Sequence, residues 1–136
     1  MNWTDDSDGA ASMKLAATAA NSCKSEELLK SSTSWNGTPY DRYPPGRPQL
    51  SVIRFTIPPH TSLSWHTHPM PNAAFVISGE FTLEEKGTGK SRLVKAGEAF
   101  AESVDDIHRG YTGDTPAEII CTYAGVEGLP LSIPAP

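Results

Sequence analysis

The stretch Trp65-His66-Thr67-His68 holds the residue types best suited to chemistry. In an extended strand alternate side chains share a face, so His66 and His68 project together. Two neutral imidazoles side by side are the usual start of a site for Fe, Mn, Ni, Zn or Cu. Such pairs also occur on solvated strands, so this one gains weight from a third histidine, His108, further along the chain.

Glu102 is the carboxylate nearest to that third histidine with a claim to the interior. Strand alternation puts it on the same face as Phe100, an apolar side chain suited to a core. There it would act as a metal ligand or as a general base whose pKa is raised by burial. The alternative is a surface glutamate on a strand whose inward set is Ala99, Ala101 and Ser103. Other residues read as structural. His60 follows two prolines at a loop start and reads as solvated. Cys121 alternates with Ile119 and Tyr123, a core pattern rather than that of a catalytic thiol. Arg109 points away from His108 and towards a salt bridge. Trp65, Phe75, Phe81 and Tyr111 suit a core or an interface.

These side chains must be positioned by short strands. From Gln49 onward, β-rich runs follow one another, each closed by Pro, Gly or Asp. They are Leu50–Ile57, Ser62–Thr67, Ala73–Ser78, Glu80–Lys86, Ser91–Lys95, Ala99–Ser103, Ile107–Tyr111 and Ala117–Tyr123. Gly87-Thr88-Gly89 and Ala96-Gly97 supply turns between them. Short strands at near-regular spacing with almost no helix imply an all-β sandwich or small barrel.

Residues 59–79 resemble the first motif of the cupin superfamily, Gly-x5-His-x-His-x3,4-Glu-x6-Gly. His66, His68 and Gly79 fall on it, and His60 stands where the leading Gly is usual. Residues 97–108 resemble the second motif, Gly-x5-Pro-x-Gly-x2-His-x3-Asn, through Gly97 and His108. The resemblance covers residues 50–124 and implies a cupin barrel over 49–124, a jelly-roll-like double-stranded β-helix. It also implies one divalent transition metal held by His66, His68 and His108. Asn72 occupies the place of the family's glutamate ligand. Ser103 and Asp105 replace the Pro and Gly of the second motif, and Thr112 replaces its Asn.

A neutral amide at Asn72 leaves more of the ion's charge uncancelled than a carboxylate does. A unit charge pair at about 4 Å is worth roughly 4 kcal/mol at an effective dielectric of 20. Metal affinity should therefore be lower, and an anionic or chelating small molecule more welcome. The implied function is a small-molecule enzyme of dioxygenase type. Two alternatives stand beside it: a redox-neutral isomerase, lyase or hydrolase in which Glu102 moves a proton, and a non-catalytic ligand-binding or sensor cupin.

The rest of the chain bounds these readings. It has 136 residues, enough for one domain, and a net charge of −5 without a basic stripe, which argues against nucleic acid. The two cysteines, Cys23 and Cys121, form no dense framework and read as unrelated thiols. No run reaches the roughly 18 apolar residues of a membrane span. Asp5, Asp6 and Asp8 put negative charge where a secretory segment wants positive charge. A soluble protein of cytoplasm or periplasm is expected. Residues 1–23 read as a disordered or processed leader, Ser25–Lys30 as a short helix, and 34–48 as a Pro-rich arm. The tail 125–136 reads as irregular. A homodimer is expected, because unpaired sheet edges invite association and the arm could cross to a partner.

Overall fold

The computed structural model describes residues 22–136, so the expected leader falls almost wholly outside the described residues. Nine strands follow in order: β1 Pro48–Ile57, β2 His66–Thr67, β3 Asn72–Ser78, β4 Glu80–Glu85, β5 Ser91–Lys95, β6 Ala99–Ala101, β7 His108–Tyr111, β8 Ala117–Val126 and β9 Ile133–Pro134. They form two sheets, β1-β8-β3-β6 and β5-β4-β7-β2-β9, whose pairings are antiparallel.

Alternation decides which face of each strand turns inward. In β8 the buried set is Ala117, Ile119, Cys121 and Tyr123, while Glu118 and Thr122 face out. Inward residues of both sheets meet in one core that includes Val76, Leu83, Val94 and Phe100. Each large apolar side chain buried there contributes roughly 1.5–3 kcal/mol. Among the described residues no helix is long and apolar enough to cross a membrane.

Seven of the eight expected strands appear within a few residues of their expected bounds, and the eighth is shortened. Ser62 touches β7 only by an isolated bridge to Tyr111, whereas His66 pairs with His108. The two pairings differ by one residue of register, so a bulge interrupts the ladder and leaves β2 two residues long.

Two expectations are corrected. Residues 25–30 form no helix. Six residues are too few to hold a helix without a packed face, and Glu26, Glu27 and Leu28 are all exposed. The tail is not wholly irregular. β8 stays paired with β1 as far as Val126, and β9 returns to pair with β2. Pro134 is tolerated there because β9 is the sheet edge, where a missing N–H costs little.

The arm lies on its own barrel. Trp35 N–H donates to the Ala101 carbonyl, the Tyr40 hydroxyl to the Glu102 carbonyl, and the Asn36 amide to Asp106. These bonds brace the segment running from β6 to β7, which carries Glu102 and leads into His108.

Motif departures keep the backbone the motif requires. His60 and Asp105, at positions usually glycine, take left-handed φ of 53° and 67°. Gly79 is kept for a harder reason. Its φ is 76°, and a Cβ there would lie 2.0 Å from the Pro116 carbonyl oxygen.

Candidate metal centre

The register of β2 against β7 places His66 directly opposite His108. His68 follows β2 immediately, and Glu102 follows β6. The three imidazole centroids are 4.5–5.1 Å apart. One ligand atom from each of His66, His68, Glu102 and His108 lies within 4.8 Å of the others. His68, Glu102 and His108 are buried, and His66 is half-buried.

Each imidazole is oriented from behind. Nδ1 of His66 lies 2.7 Å from the Ser64 carbonyl, that of His68 2.8 Å from Leu131, and that of His108 2.8 Å from Asp106. A carbonyl oxygen only accepts, so each Nδ1 carries the proton and donates. In the neutral ring the lone pair is then on Nε2, the ligating tautomer.

Those Nε2 atoms converge on a carboxylate. His108 Nε2 is 3.3 Å from Glu102 Oε1, and His68 Nε2 is 3.4 Å from Oε2. Neither Nε2 is in an aligned hydrogen bond despite complete burial. Lone pairs and a carboxylate facing one another without a proton repel, and a bound cation turns that repulsion into ligation. The donor set fits a divalent transition ion.

The titrations carry the same strain. Burial disfavours the Glu102 carboxylate, but hydrogen bonds and charge from His108 and His68 in their protonated forms outweigh it and hold its pKa below the ordinary value. Burial likewise disfavours charge on His108, yet the Glu102 carboxylate reverses this and raises its pKa. At His66 burial prevails and lowers the pKa, assisted by the other two histidines.

The four side chains face a cavity of about 330 Å³ between the sheets. Its walls are mainly apolar, with Phe55, Leu63, Phe81, Leu83 and Ile119 among them. Cys121 and Tyr123 also face it, and burial pushes the Cys121 thiol up to about 12.

Asn72 is not among the residues lining this cavity. It opens β3 in the buried set with Ala74 and Val76, opposite Tyr123, and its Nδ2 donates to the Met70 carbonyl at 3.4 Å. Arg109 pairs with Glu84 at 3.0 Å, as its alternation with His108 implies. Both cysteines are free. Leu131, whose carbonyl holds His68, was missed by the sequence reading, since nothing in a Pro- and Gly-rich tail signals a return to the site.

Two antiparallel sheets with three inward histidines and a carboxylate gathered at one point define an all-β barrel with a candidate metal centre. Residues 53–123, just over half the chain, match the family model of the Cupin domain, and the chain belongs to the cupin family. No curated protein matches it. Among solved structures it is similar to DMSP lyase DddQ from Ruegeria pomeroyi DSS-3, with TM-score 0.54 and 20% identity over 60% of this chain and 41% of that one. It is also similar to oxalate oxidase in complex with the substrate analogue glycolate, with TM-score 0.50 and 26% identity over 56% of this chain and 42% of that one. A third is the polyketide cyclase RemF from Streptomyces resistomycificus, with TM-score 0.55 and 19% identity over 66% of this chain and 62% of that one. The chain spans less than half the length of the first two.

Proposed function

We propose that the protein is a metal-dependent cupin enzyme of dioxygenase type, acting on a small oxygen-bearing molecule. His66, His68 and His108 would hold one divalent transition ion through Nε2, and Glu102 would supply the fourth ligand in place of the carboxylate missing at Asn72. The observation that carries this reading is the set of Nδ1-to-carbonyl bonds, which turn the Nε2 lone pairs towards the Glu102 carboxylate. A bound ion supplies Lewis acidity and, if redox-active, electron transfer to dioxygen. The chain's own residues orient the ligating rings, exclude water with apolar walls, and leave Cys121 protonated at neutral pH. The likeness to oxalate oxidase favours oxidation over redox-neutral chemistry. With Glu102 held as a ligand, no free carboxylate among the described residues lines the cavity to move a proton.

The test is oxygen uptake by metal-loaded protein with a panel of diketones, catechols, flavonols and hydroxy acids. Uptake that needs both metal and substrate supports the proposal. Stoichiometric metal with no turnover of any class would instead favour a ligand-binding or sensor cupin.

We infer also that the barrel pairs with a second copy. Leu50 and Val52 lie 83% and 65% exposed on the outer face of β1, an edge strand. Such a face is apolar and unpaired at once. A monomer mass by light scattering at micromolar concentration would contradict this.

A further inference from the structure

Charge sets the ligand's head group, and one aromatic ring sets its length. We infer that the cavity takes a small monoanion, a carboxylate or enolate on a compact apolar body, and that Phe81 lodged against Gly110 limits that body. This deepens the proposed function and rests on its metal centre.

The charge inventory is short. A divalent ion contributes two positive charges and the Glu102 carboxylate one negative, while the neutral imidazoles contribute none. The centre is then left with a single positive charge. Among the described residues the remaining lining contains no lysine or arginine, and its other polar side chains are Ser64, Trp65, Ser132, Cys121 and Tyr123. The nearby cations Lys86 and Arg109 sit over the Trp65 ring, 5.5 and 4.3 Å from its centroid, and neither lines the cavity. One anionic head brings the centre to neutrality. A second charge too far along the ligand to reach the same ion would be buried among apolar walls with no partner, which is strongly disfavoured.

The body of the ligand meets a wall that depends on a missing side chain. Gly110 lies two residues beyond His108 on β7, so it shares the inward face, about 7 Å further along. A Cβ at Gly110 would lie 1.9 Å from Phe81 Cζ, so the ring occupies the space that any other residue would fill. Both residues line the cavity. A methyl group at position 110 must displace the ring, which itself borders the cavity. Shortening Phe81 must lengthen the cavity.

The experiment is calorimetric binding to metal-loaded protein, without turnover. The probes are straight-chain monocarboxylates from acetate to octanoate, and glutarate and adipate as dianions whose second carboxylate lies too far from the first to chelate the same ion. Metal content is measured before and after each titration. The expected result is binding of monocarboxylates with an optimum chain length, and at least tenfold weaker binding of dianions of matched length. Phe81→Leu should move the optimum to longer chains and Gly110→Ala to shorter ones, each at unchanged metal content. Phe81→Leu shortens the side chain while keeping it apolar, so it leaves a smaller void than Phe81→Ala and retains the fold; thermal melts verify this. Dianions binding as tightly as monoanions would overturn the charge argument. An optimum unmoved in folded, metal-loaded variants would overturn the role of Phe81. Absence of metal from wild-type protein would be a separate result, sinking the metal centre and this inference with it.

Discussion

Glu102 and His108 face each other at 3.3 Å, Oε1 to Nε2, inside the barrel and without an aligned hydrogen bond. The His108 proton is on the other nitrogen, directed at the Asp106 carbonyl. The pair is therefore poised for a cation that neither residue supplies. A proton partly meets the need, which is why the His108 pKa is raised. A metal ion meets it for all four side chains at once.

Changing both His66 and His68 to Ala should accordingly abolish stoichiometric metal, measured by elemental analysis after reconstitution. Wild-type protein should bind one ion per chain and gain thermal stability from it, about 2.7 kcal/mol when free metal is a hundredfold above Kd. The double variant should show no such gain. Full occupancy in the variant would remove these two residues from the ligand set.

Much of this site was legible because strand alternation is a strict rule. The period of two put His66 with His68, Phe100 with Glu102, and Cys121 with Tyr123 before any coordinates were needed. What escaped depended on contacts distant in sequence. The Ser25–Lys30 stretch carries helix-start residues, but nothing packs against it to stabilise a helix. Gly125–Pro136 carries loop composition, yet its end pairs with β2 and its Leu131 carbonyl holds His68. Asn72 follows the motif position and is buried on β3 opposite Tyr123, but its amide turns to the Met70 carbonyl and it is not among the residues lining the cavity.

Thiol chemistry offers a check that needs no metal. Burial, helped by the nearby Glu102 charge, raises the Cys121 pKa to about 12. At pH 8 only about one thiol in ten thousand there is the reactive thiolate. Iodoacetamide at that pH should label exposed Cys23 promptly and leave Cys121 untouched until denaturant is added, read by peptide mass spectrometry. Comparable labelling of both cysteines in folded protein would mean that Cys121 is a reactive group of the cavity.

The left-handed backbone at Asp105 predicts an asymmetric response to substitution. Aspartate tolerates a φ of 67°, glycine adopts it freely, and a β-branched residue does not. Asp105→Gly should leave stability within about 0.5 kcal/mol, and Asp105→Val should cost roughly 1–3 kcal/mol. The Asp105 N–H also donates to the His68 carbonyl at 3.1 Å, so the valine variant should bind metal more weakly as well. Equal melting curves for the two variants would show that this turn relaxes without strain.

The last prediction separates the two roles open to Glu102. Glu102→Gln keeps the side chain's shape but removes its charge and basicity. The fold should survive, because the amide nitrogen takes the place of one carboxylate oxygen and can donate to the one Nε2 it faces. If Glu102 is a ligand, metal affinity should fall by about tenfold or more, since a neutral oxygen replaces a charge worth several kcal/mol at this range. Turnover should fall with it, and added metal should recover only part of the loss. If Glu102 is a general base and not a ligand, metal content should stay at one per chain while turnover falls by about a hundredfold. The positions of its two oxygens, each set against a different histidine Nε2, favour the first outcome. A variant that keeps both wild-type metal affinity and wild-type turnover would remove Glu102 from the site, and the buried carboxylate would then need a purely structural account.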